Sequence, residues 1–376
     1  MTERALDFAL ALTDGQRWLG EPIRVASYDD AVAAGARFGL DGERMLFEDV
    51  TPDGTLVFRV SRETAGSWHA RERGPEYPLR ACVEVLARAL GFPLFGVTAP
   101  ELPARYRDRF TQWLAKGGAA DMDFMQRHAD KRVNPERVLA GAQSVLVFAT
   151  PYPREAGGGA QAKIARYALG RDYHQVLPGR LAVVRRYLEK RGGHCYTSVD
   201  TGPVLERAYA EQAGVGWIGK NGNLISRRFG SYVFLGTVWT TLALPRDAPH
   251  DDFCGVCTAC LEGCPTRAIT QPGWVESKRC ISYLTIEQRG EAPPEAPRVR
   301  EWVYGCDVCQ EVCPWNRFAQ PVTIDRLAPL RAFPETPEGW LALTDDQVND
   351  LLVGTPLRRA GAEGLRRNAR VLLETK

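Results

Sequence analysis

The cysteines constrain this chain more than any other feature, because eight of the ten lie between Cys254 and Cys313. The first motif is Cys254-x2-Cys257-x2-Cys260-x3-Cys264-Pro265, and the second is Cys306-x2-Cys309-x3-Cys313-Pro314. Two-residue gaps let a tight loop present three thiolates to one cluster, while the thiolate followed by proline reaches a different cluster. The spacing therefore predicts two [4Fe–4S] clusters.

The second motif is one cysteine short, and Cys280 lies between the motifs to supply the missing thiolate. Four ligands per cluster give a first set of Cys254, Cys257, Cys260 and Cys313, and a second set of Cys264, Cys280, Cys306 and Cys309. Structural zinc is the alternative, since zinc also binds Cys-x2-Cys pairs. The two Cys-Pro endings and the run of three closely spaced thiolates favour iron–sulfur clusters, which by themselves indicate only electron transfer.

Composition and hydrophobic pattern divide the rest of the chain. Residues 1–75 are predicted to form an accessory α+β segment of unknown role, with a helix around Asp29–Phe38 and two strands flanking Pro52-Asp53-Gly54. Residues 78–250 mix a buried strand at 144–150, a strand-like stretch at 231–244, and a helix with Leu177, Leu181, Val184 and Leu188 on one face. Residues 251–320 hold the cysteine block, and residues 321–376 are predicted to be helical.

Targeting and charge patterns narrow the cellular setting. The sequence has no run of about 18 apolar residues, and its N-terminus lacks the basic-then-apolar pattern of a signal peptide. We therefore expect a cytoplasmic monomer without a membrane partner. The net charge of +2 argues against strong non-specific binding to nucleic acid. The C-terminus is nevertheless basic, with Arg358, Arg359, Arg366, Arg367, Arg370 and Lys376.

Several longer motifs carry a resemblance to a known family: IARYALGRDYH, VDTGPVLERAYAEQAGVGWIGKN, GSYVFLG, KRCISYLTIE and YGCDVCQEVCPWN. Over about residues 77–373 the chain resembles the epoxyqueuosine reductases, which depend on cobalamin and two [4Fe–4S] clusters and are related to reductive dehalogenases. The resemblance implies an α+β fold class, with a cobalamin-binding α/β sandwich-like domain at 78–250, a bacterial-ferredoxin-like [4Fe–4S] domain and a helical C-terminus. It also implies reduction of epoxyqueuosine to queuosine at the wobble position of tRNA.

The resemblance further implies roles for individual residues. Asp200 in VDTGP would protonate the departing oxygen, with a pKa raised by partial burial; capping of the following turn or helix is the alternative. Besides Asp200, the positions that match cobalamin contacts are Arg132, Ala165, Arg166, Leu224, Leu235, Ser282, Asp307 and Val308, with ordinary packing as the alternative. The implied partners are the anticodon arm of a tRNA and an electron donor such as ferredoxin or flavodoxin.

Three features near these motifs need their own interpretation. His174 is expected to be a loop residue rather than a cobalt ligand, since the family leaves the lower cobalt face without a protein ligand. Residues 214–219 fit Gly-x-Gly-x-x-Gly but follow a helical pattern, so dinucleotide binding is rejected and the glycines are expected to approach the corrin. Lys220 and Asn221 are expected to contact the substrate or the corrin amides.

Two other functions remain open at this point. One is a ferredoxin-like electron carrier without catalysis, against which the long region of non-cysteine motifs argues. The other is a reductive dehalogenase-like enzyme acting on a small molecule, against which the missing export signal argues. Residues 1–75 have no counterpart in the family pattern. The helical repeats that help longer members hold tRNA are also missing, and we expect the basic C-terminus to substitute for them.

Overall fold

The structure is a computed structural model of the 376-residue chain. It describes residues 8–13, 23–25, 45–50, 56–61, 79–153, 161–292, 299 and 301–374. Within these residues no helix combines the length and the apolar character that crossing a membrane requires. Strands and helices are both abundant, which confirms the prediction of a mixed α+β fold.

The N-terminal region contributes the strands β1 (Phe8–Thr13), β2 (Ile23–Val25), β3 (Met45–Val50) and β4 (Leu56–Ser61). They form one sheet in the order β2-β1-β4-β3, in which β3 and β4 are antiparallel. The two strands predicted around the Pro-Asp-Gly turn are thereby confirmed. The turn itself and the predicted helix at 29–38 lie outside the described residues, and the accessory segment at 1–75 stays a prediction.

The remaining elements build a sheet-bearing region, a block of short elements around the cysteines, and a helical C-terminus. The strands are β5 (Leu94–Thr98), β6 (Ser144–Pro151), β7 (Lys163–Ile164), β8 (Cys195–Ser198), β9 (Trp217–Ile218), β10 (Leu224–Ile225), β11 (Val233–Thr240), β12 (Ile269–Gln271), β13 (Trp274–Val275) and β14 (Trp302–Tyr304). The helices are α1 (Leu79–Ala89), α2 (Ala104–Ala115), α3 (Asp123–Arg127), α4 (Ala129–Val133), α5 (Tyr173–Glu189), α6 (Glu206–Gln212), α7 (Ala259–Gly263), α8 (Ile281–Ile286), α9 (Val308–Glu311), α10 (Pro337–Leu341), α11 (Asp345–Leu352) and α12 (Gly361–Glu374).

The middle region is organised around an antiparallel sheet with the strand order β5-β6-β11-β8. Every residue of β6 is buried, in agreement with the buried strand predicted at 144–150. Successive residues of a strand point to opposite faces of its sheet. Leu146 and Phe148 accordingly join the core formed with α1 and α5, whereas Val145, Val147 and Ala149 join the core formed with α6. Helices therefore cover both faces of this sheet.

The predicted helix of this region is α5, and the strand-like stretch at 231–244 contains β11. All four leucine and valine residues of the helical pattern are buried in the core with α1. The helix begins after Asp172, whose carboxylate accepts a hydrogen bond from the backbone N–H of His174 at 3.0 Å. This cap satisfies one of the free amides of the first turn. It also fixes the backbone that carries Tyr173 and His174.

The C-terminal helices pack on the far side of the cysteine block, which confirms the predicted helical C-terminus. Leu365, Ala369 and Leu372 of α12 are buried in one core with Trp302 and Tyr304 of β14. The described C-terminus is therefore part of the folded body, and α12 forms one wall of its core.

The basic residues of α12 are partly used to hold that helix in place. Arg367 donates hydrogen bonds to the carbonyls of Leu284 at 2.9 Å and Gln288 at 2.6 Å, at the end of α8. Such carbonyls have no partner within their own helix. Arg366 pairs with Asp345 at 2.5 Å, whereas Arg370 is exposed. The expectation that the basic C-terminus serves phosphates is therefore wrong for Arg367.

Arg367→Gln is predicted to destabilise the protein. Loss of hydrogen bonds made by a charged group costs about 1.5–3 kcal/mol, and a glutamine is too short to reach both carbonyls. The measurement is the thermal unfolding midpoint of the anaerobically purified protein. Arg370→Gln is the matched control, because it removes an exposed charge from the same helix. Equal midpoints for the two variants would show that the contacts of Arg367 do not hold α12.

Candidate active site and cysteine centres

The eight cysteines of the block are free thiols in two groups. Burial and the charges of the other three members of the first set raise the pKa of Cys260 to about 11. Burial and the charges of the other three members of the second set, with Asp307, raise the pKa of Cys309. Charge effects of this kind act between neighbouring groups, and here they link thiols within each of the two sets that the spacing predicts; the assignment of each set to a cluster stays a prediction.

Two short helices explain how the sets cross. Cys260 lies in α7 with Cys264 at its end, and Cys309 lies in α9 with Cys313 two residues beyond its end. The two helices pack against each other. Each helix therefore contributes one thiol to each set. The first set also borders a cavity of about 90 Å³, whose other lining residues include Phe253 and Trp315.

The loop before β10 holds the cysteine block against the sheet region. The Lys220 ammonium donates hydrogen bonds to the carbonyls of Gly255 at 2.6 Å and Cys257 at 2.9 Å. The Asn221 amide donates to the carbonyl of Cys309 at 3.3 Å. Both side chains thus contact the cysteine block, and the expected contacts of Lys220 and Asn221 with substrate or corrin amides stay a prediction. Tight cysteine loops leave carbonyls without backbone partners, and these two side chains satisfy them.

The glycine-rich stretch 214–219 also has a different role from the one expected. It follows helix α6, which agrees with the rejection of dinucleotide binding. A Cβ atom on Gly216 would lie 2.3 Å from the carbonyl oxygen of Ile225. The glycine therefore permits a close approach to the backbone of β10. The sequence had led us to expect an approach to the corrin.

A second site lies in the cleft beyond strand β8, where the chain reaches Asp200. Asp200 Oδ2 accepts a hydrogen bond from the Tyr173 hydroxyl at 2.9 Å and lies 3.2 Å from His174 Nε2. His174 Nδ1 in turn lies 2.8 Å from Asp172 Oδ1. The imidazole thus bridges two carboxylates. Helix α6 begins without a side-chain cap, so Asp200 does not cap it as the alternative proposed.

Glu206 fixes the backbone at Asp200. Asp200 has a φ of +55°, in the left-handed region that few residues other than glycine, asparagine and aspartate adopt. Its backbone N–H donates to Glu206 Oε1 at 2.9 Å, and the Ser198 hydroxyl donates to the same oxygen at 3.1 Å. Glu206 therefore stabilises the turn that presents the Asp200 carboxylate to the cleft.

The acidic groups of the cleft differ in protonation. Burial would raise the pKa of Asp200, but the hydrogen bonds and charge of His174 and the bond from Tyr173 hold it below its ordinary value. Burial and the charge of Asp200 raise the pKa of Glu206 to about 8. Burial would lower the pKa of His174, but its bonds to Asp172 and Asp200 raise it to about 9. The raised carboxyl pKa expected at Asp200 is therefore found at Glu206.

The cleft is large enough for a ligand, and a hydrogen-bond donor without a partner lies near it. It is a cavity of about 400 Å³ lined in part by His128, Lys131 and Tyr196. Arg132 is buried, and its Nη1 atom has no hydrogen-bond partner within the described part of the chain. Burial lowers the pKa of Arg132, and the nearby charges of Asp200 and Glu206 oppose that shift. A buried guanidinium N–H without an acceptor is costly, so an oxygen of a bound ligand fits this position.

Two predicted cobalamin contacts, Arg166 and Asp307, contact each other. Asp307 Oδ2 accepts a hydrogen bond from the backbone N–H of Arg166 at 2.7 Å and lies 3.1 Å from its Nη1 atom. Arg166 Nη1 also lies 2.7 Å from Glu311 Oε1. Asp307 is buried and follows Cys306 directly. This pair therefore joins the stretch before α5 to the second cysteine motif.

The other predicted contacts are dispersed. Ala165 is buried close to Gly305. A Cβ atom added to Gly305 would lie 2.5 Å from the Cβ atom of Ala165. Leu224 is buried in the core with α6, and Leu235 packs against the same core while half-buried. Ser282 and Val308 are also half-buried. The structure brings Arg132 near Asp200 but places Leu224 among core residues, as the packing alternative states.

Two residues that contact Asp200 were not predicted from the sequence, and a third was misplaced. Tyr173 and Glu206 were not singled out, and His174 was expected in a loop, whereas it lies in the first turn of α5. A signal was present in the motifs themselves. RDYH and VDTGPVLER both place titratable side chains next to the residues already chosen.

Comparison with known proteins identifies the family. A family profile described as Epoxyqueuosine reductase QueG matches residues 132–201, and one described as a 4Fe-4S double cluster binding domain matches residues 253–316. The epoxyqueuosine reductase of Gloeobacter violaceus is 43% identical over 312 residues, which cover 79% of this chain and 96% of that protein. The chain belongs to the epoxyqueuosine reductase family.

Further epoxyqueuosine reductases agree with this assignment. The enzyme of Pseudomonas aeruginosa is 40% identical over 296 residues, covering 76% of this chain and 82% of that protein. An epoxyqueuosine reductase crystallised with an epoxyqueuosine-modified tRNA-Tyr stem loop has a TM-score of 0.73 and 30% identity, covering 79% of this chain and 82% of that one. The predicted family, its oxidoreductase activity and the double cluster domain are thereby confirmed. All three relatives are named as epoxyqueuosine reductases, which favours the reductase over the other two functions left open by the sequence.

Glu206→Gln is predicted to change how stability depends on pH. A carboxyl whose folded pKa is about 8 is destabilising once pH exceeds its unfolded pKa, and the penalty grows until pH passes 8. The glutamine oxygen can still accept both hydrogen bonds. The thermal midpoint of the variant should therefore rise relative to wild type between pH 5 and pH 8.5. Glu189→Gln, at the end of α5, is the control. A difference that does not vary with pH would contradict the protonated state of Glu206.

Proposed function

We propose that this epoxyqueuosine reductase converts epoxyqueuosine in tRNA to queuosine, using cobalamin and two [4Fe–4S] clusters. The observation that carries the proposal is a bridged Asp172–His174–Asp200 arrangement, in which His174 lines a cleft of about 400 Å³. The related enzyme crystallised with a modified stem loop supports tRNA as the substrate. Conversion of an epoxide to an alkene releases one oxygen as water and consumes two electrons and two protons. The chain must therefore supply electrons and a proton donor.

The electrons come from clusters held by the eight cysteines. The first set holds one cluster and the second set holds the other, in agreement with the grouping of the thiols in the structure. Cluster ligands are thiolates, so binding iron to these cysteines would release thiol protons.

Cobalamin is proposed to bind beside the cleft. Asp200 is 61% exposed, and its neighbours Val199 and Thr201 line the cleft. The unpartnered Nη1 of buried Arg132 would donate to an oxygen of the cofactor. Ala165, Arg166, Leu224 and Leu235 would line the corrin, and Ser282, Asp307 and Val308 would meet its cluster-side edge. When bound, cobalamin supplies the two-electron chemistry at carbon that single-electron clusters cannot perform.

Asp200 and His174 handle the proton. The low pKa of Asp200 and the raised pKa of His174 place the available proton on His174 at neutral pH. His174 Nε2 would pass this proton to Asp200 Oδ2, and the carboxyl would deliver it to the departing oxygen. Asp172 holds the imidazole through Nδ1 and stabilises its charged form. Tyr173 orients the carboxylate. His174 is thus a proton source in this proposal, without any role as a cobalt ligand.

The same proposal covers the partners and the location. Lys131 is exposed on α4 and lines the cleft, and Arg127 is exposed just before this helix; these two cations would neutralise phosphates of an anticodon arm. Arg370 and Arg358 remain exposed at the C-terminus for the same purpose. A ferredoxin or flavodoxin would reduce the clusters, and the enzyme would act as a cytoplasmic monomer, where thiols stay reduced.

Asp200→Asn is predicted to lower turnover by about 100-fold or more, the contribution of a positioned general acid. Asparagine tolerates the left-handed backbone, so both clusters and bound cobalamin should be retained. The assay uses anaerobic enzyme, cobalamin, a chemical reductant and tRNA from a strain that accumulates epoxyqueuosine. Asp251→Asn, an exposed change outside the cleft, is the control. Near-normal turnover of Asp200→Asn would remove Asp200 from the proton path, and an inactive wild type would contradict the proposed function.

Cys280→Ser is predicted to damage the second cluster alone. The reconstituted wild type should bind about eight iron atoms, four in each cluster. The variant should lose one cluster signal in electron paramagnetic resonance while keeping the other. Cys195→Ser is the control, because Cys195 lies outside the block. Zinc in place of iron, or two intact clusters in Cys280→Ser, would contradict the ligand assignment.

A further inference from the structure

One tryptophan of the sheet region points its only polar atom at the cysteine block. Trp217 is fully buried in β9, and its indole Nε1 donates a hydrogen bond to Cys254 Sγ at 3.4 Å. The ring is held by edge contacts to Phe253 and Trp315, with centroids 5.5 and 5.1 Å away. The ring centroid of His250 lies 5.3 Å from that of Trp217. The direction of the N–H is therefore fixed by packing.

This contact is unusual among the buried tryptophans of the protein. The indole N–H groups of Trp239, Trp302 and Trp340 have no hydrogen-bond partner in the described ranges. Trp217 donates its indole N–H to a sulfur, although a carbonyl or hydroxyl oxygen is a stronger acceptor. Lys220, in the loop that follows Trp217, donates hydrogen bonds to carbonyls of the same block. These bonds hold Cys254 next to the indole. The contact is thus built into the junction of two regions.

The second set of thiols has a different environment. Cys264 Sγ accepts a hydrogen bond from the backbone N–H of Ala268 at 3.3 Å and lies 3.5 Å from the Thr266 hydroxyl. Asn223 Nδ2 lies 4.0 Å from Cys309 Sγ, at the limit of a hydrogen bond to sulfur. The donor to Cys254 is a fully buried side chain at 3.4 Å, whereas Asn223 is half-buried and stands at the distance limit. Replacing Trp217 therefore changes no residue of the cysteine block itself.

A reduced cluster carries one more negative charge than an oxidised one, and part of that charge resides on the thiolate sulfurs. Hydrogen bonds to these sulfurs stabilise the reduced form and raise the reduction potential. A donor enclosed by protein acts more strongly than an exposed one, because water does not screen it. We propose that Trp217 tunes the reduction potential of the cluster held by the first set of thiols. This inference rests on the cluster assignment of the proposed function.

Trp217→Phe tests the proposal by removing the N–H while keeping an aromatic ring. Potentiometric titration of the holoenzyme, followed by electron paramagnetic resonance, should show one cluster about tenfold harder to reduce. For a one-electron couple this shift is about 59 mV to lower potential. The second cluster should keep its potential. Trp239→Phe is the matched control, since it removes another buried indole that touches no cysteine through its N–H.

A second measurement uses the wild type and does not depend on the variant folding. With tryptophan labelled by 15N in the indole, pulsed electron paramagnetic resonance of the reduced protein should detect 15N coupled to one cluster. Absence of that coupling, or unchanged potentials in Trp217→Phe, would overturn the proposal. Equal shifts of both clusters, or a similar shift in Trp239→Phe, would also overturn it. In each of these cases two intact wild-type clusters leave the proposed function standing, whereas a wild type without clusters contradicts both.

Discussion

The crossing of the two cysteine motifs is the constraint on which this structure depends. Helices α7 and α9 each send one thiol to each set, so neither set is complete until the two helices pack together. The stretch between them is thereby closed into a loop that carries Cys280, the strands β12 to β14 and helix α8. Closing such a loop costs chain entropy. The side chains of Lys220 and Asn221 attach the closed unit to the sheet region, and α12 covers its other side.

In the second site, two neighbouring carboxyl groups are kept in different protonation states. Asp200 and Glu206 share a turn, and the ionised form of one disfavours ionisation of the other. His174 decides which carboxyl is ionised, because it bonds to Asp200 and not to Glu206. The turn therefore needs only one additional positive group to hold one carboxylate and one carboxylic acid side by side. Separated pKa values of this kind are typical of sites that transfer protons.

Much of the fold follows from local patterns, whereas the site follows from contacts between distant segments. The buried strand β6 and helix α5 were predictable, because alternation and helical spacing are properties of a few consecutive residues. The two thiol sets could be proposed from the sequence because four ligands per cluster is a counting rule. The roles of Lys220 and Arg367 were not predictable, since their partners lie 35 or more residues away in sequence. Nor was the pKa of Asp200, because His174 reaches it from 26 residues earlier.

The left-handed backbone at Asp200 limits how this loop can change during evolution. Glycine, asparagine and aspartate occupy such a conformation with little strain, while branched and bulky side chains do not. Glutamate, the other carboxylic acid, would place its charge one bond further out on a backbone that tolerates it less well. A descendant of this protein that keeps the loop therefore has two accessible outcomes at this position. It retains aspartate, or it gives up the carboxyl group for asparagine or glycine and preserves a binding fold that lacks the acid.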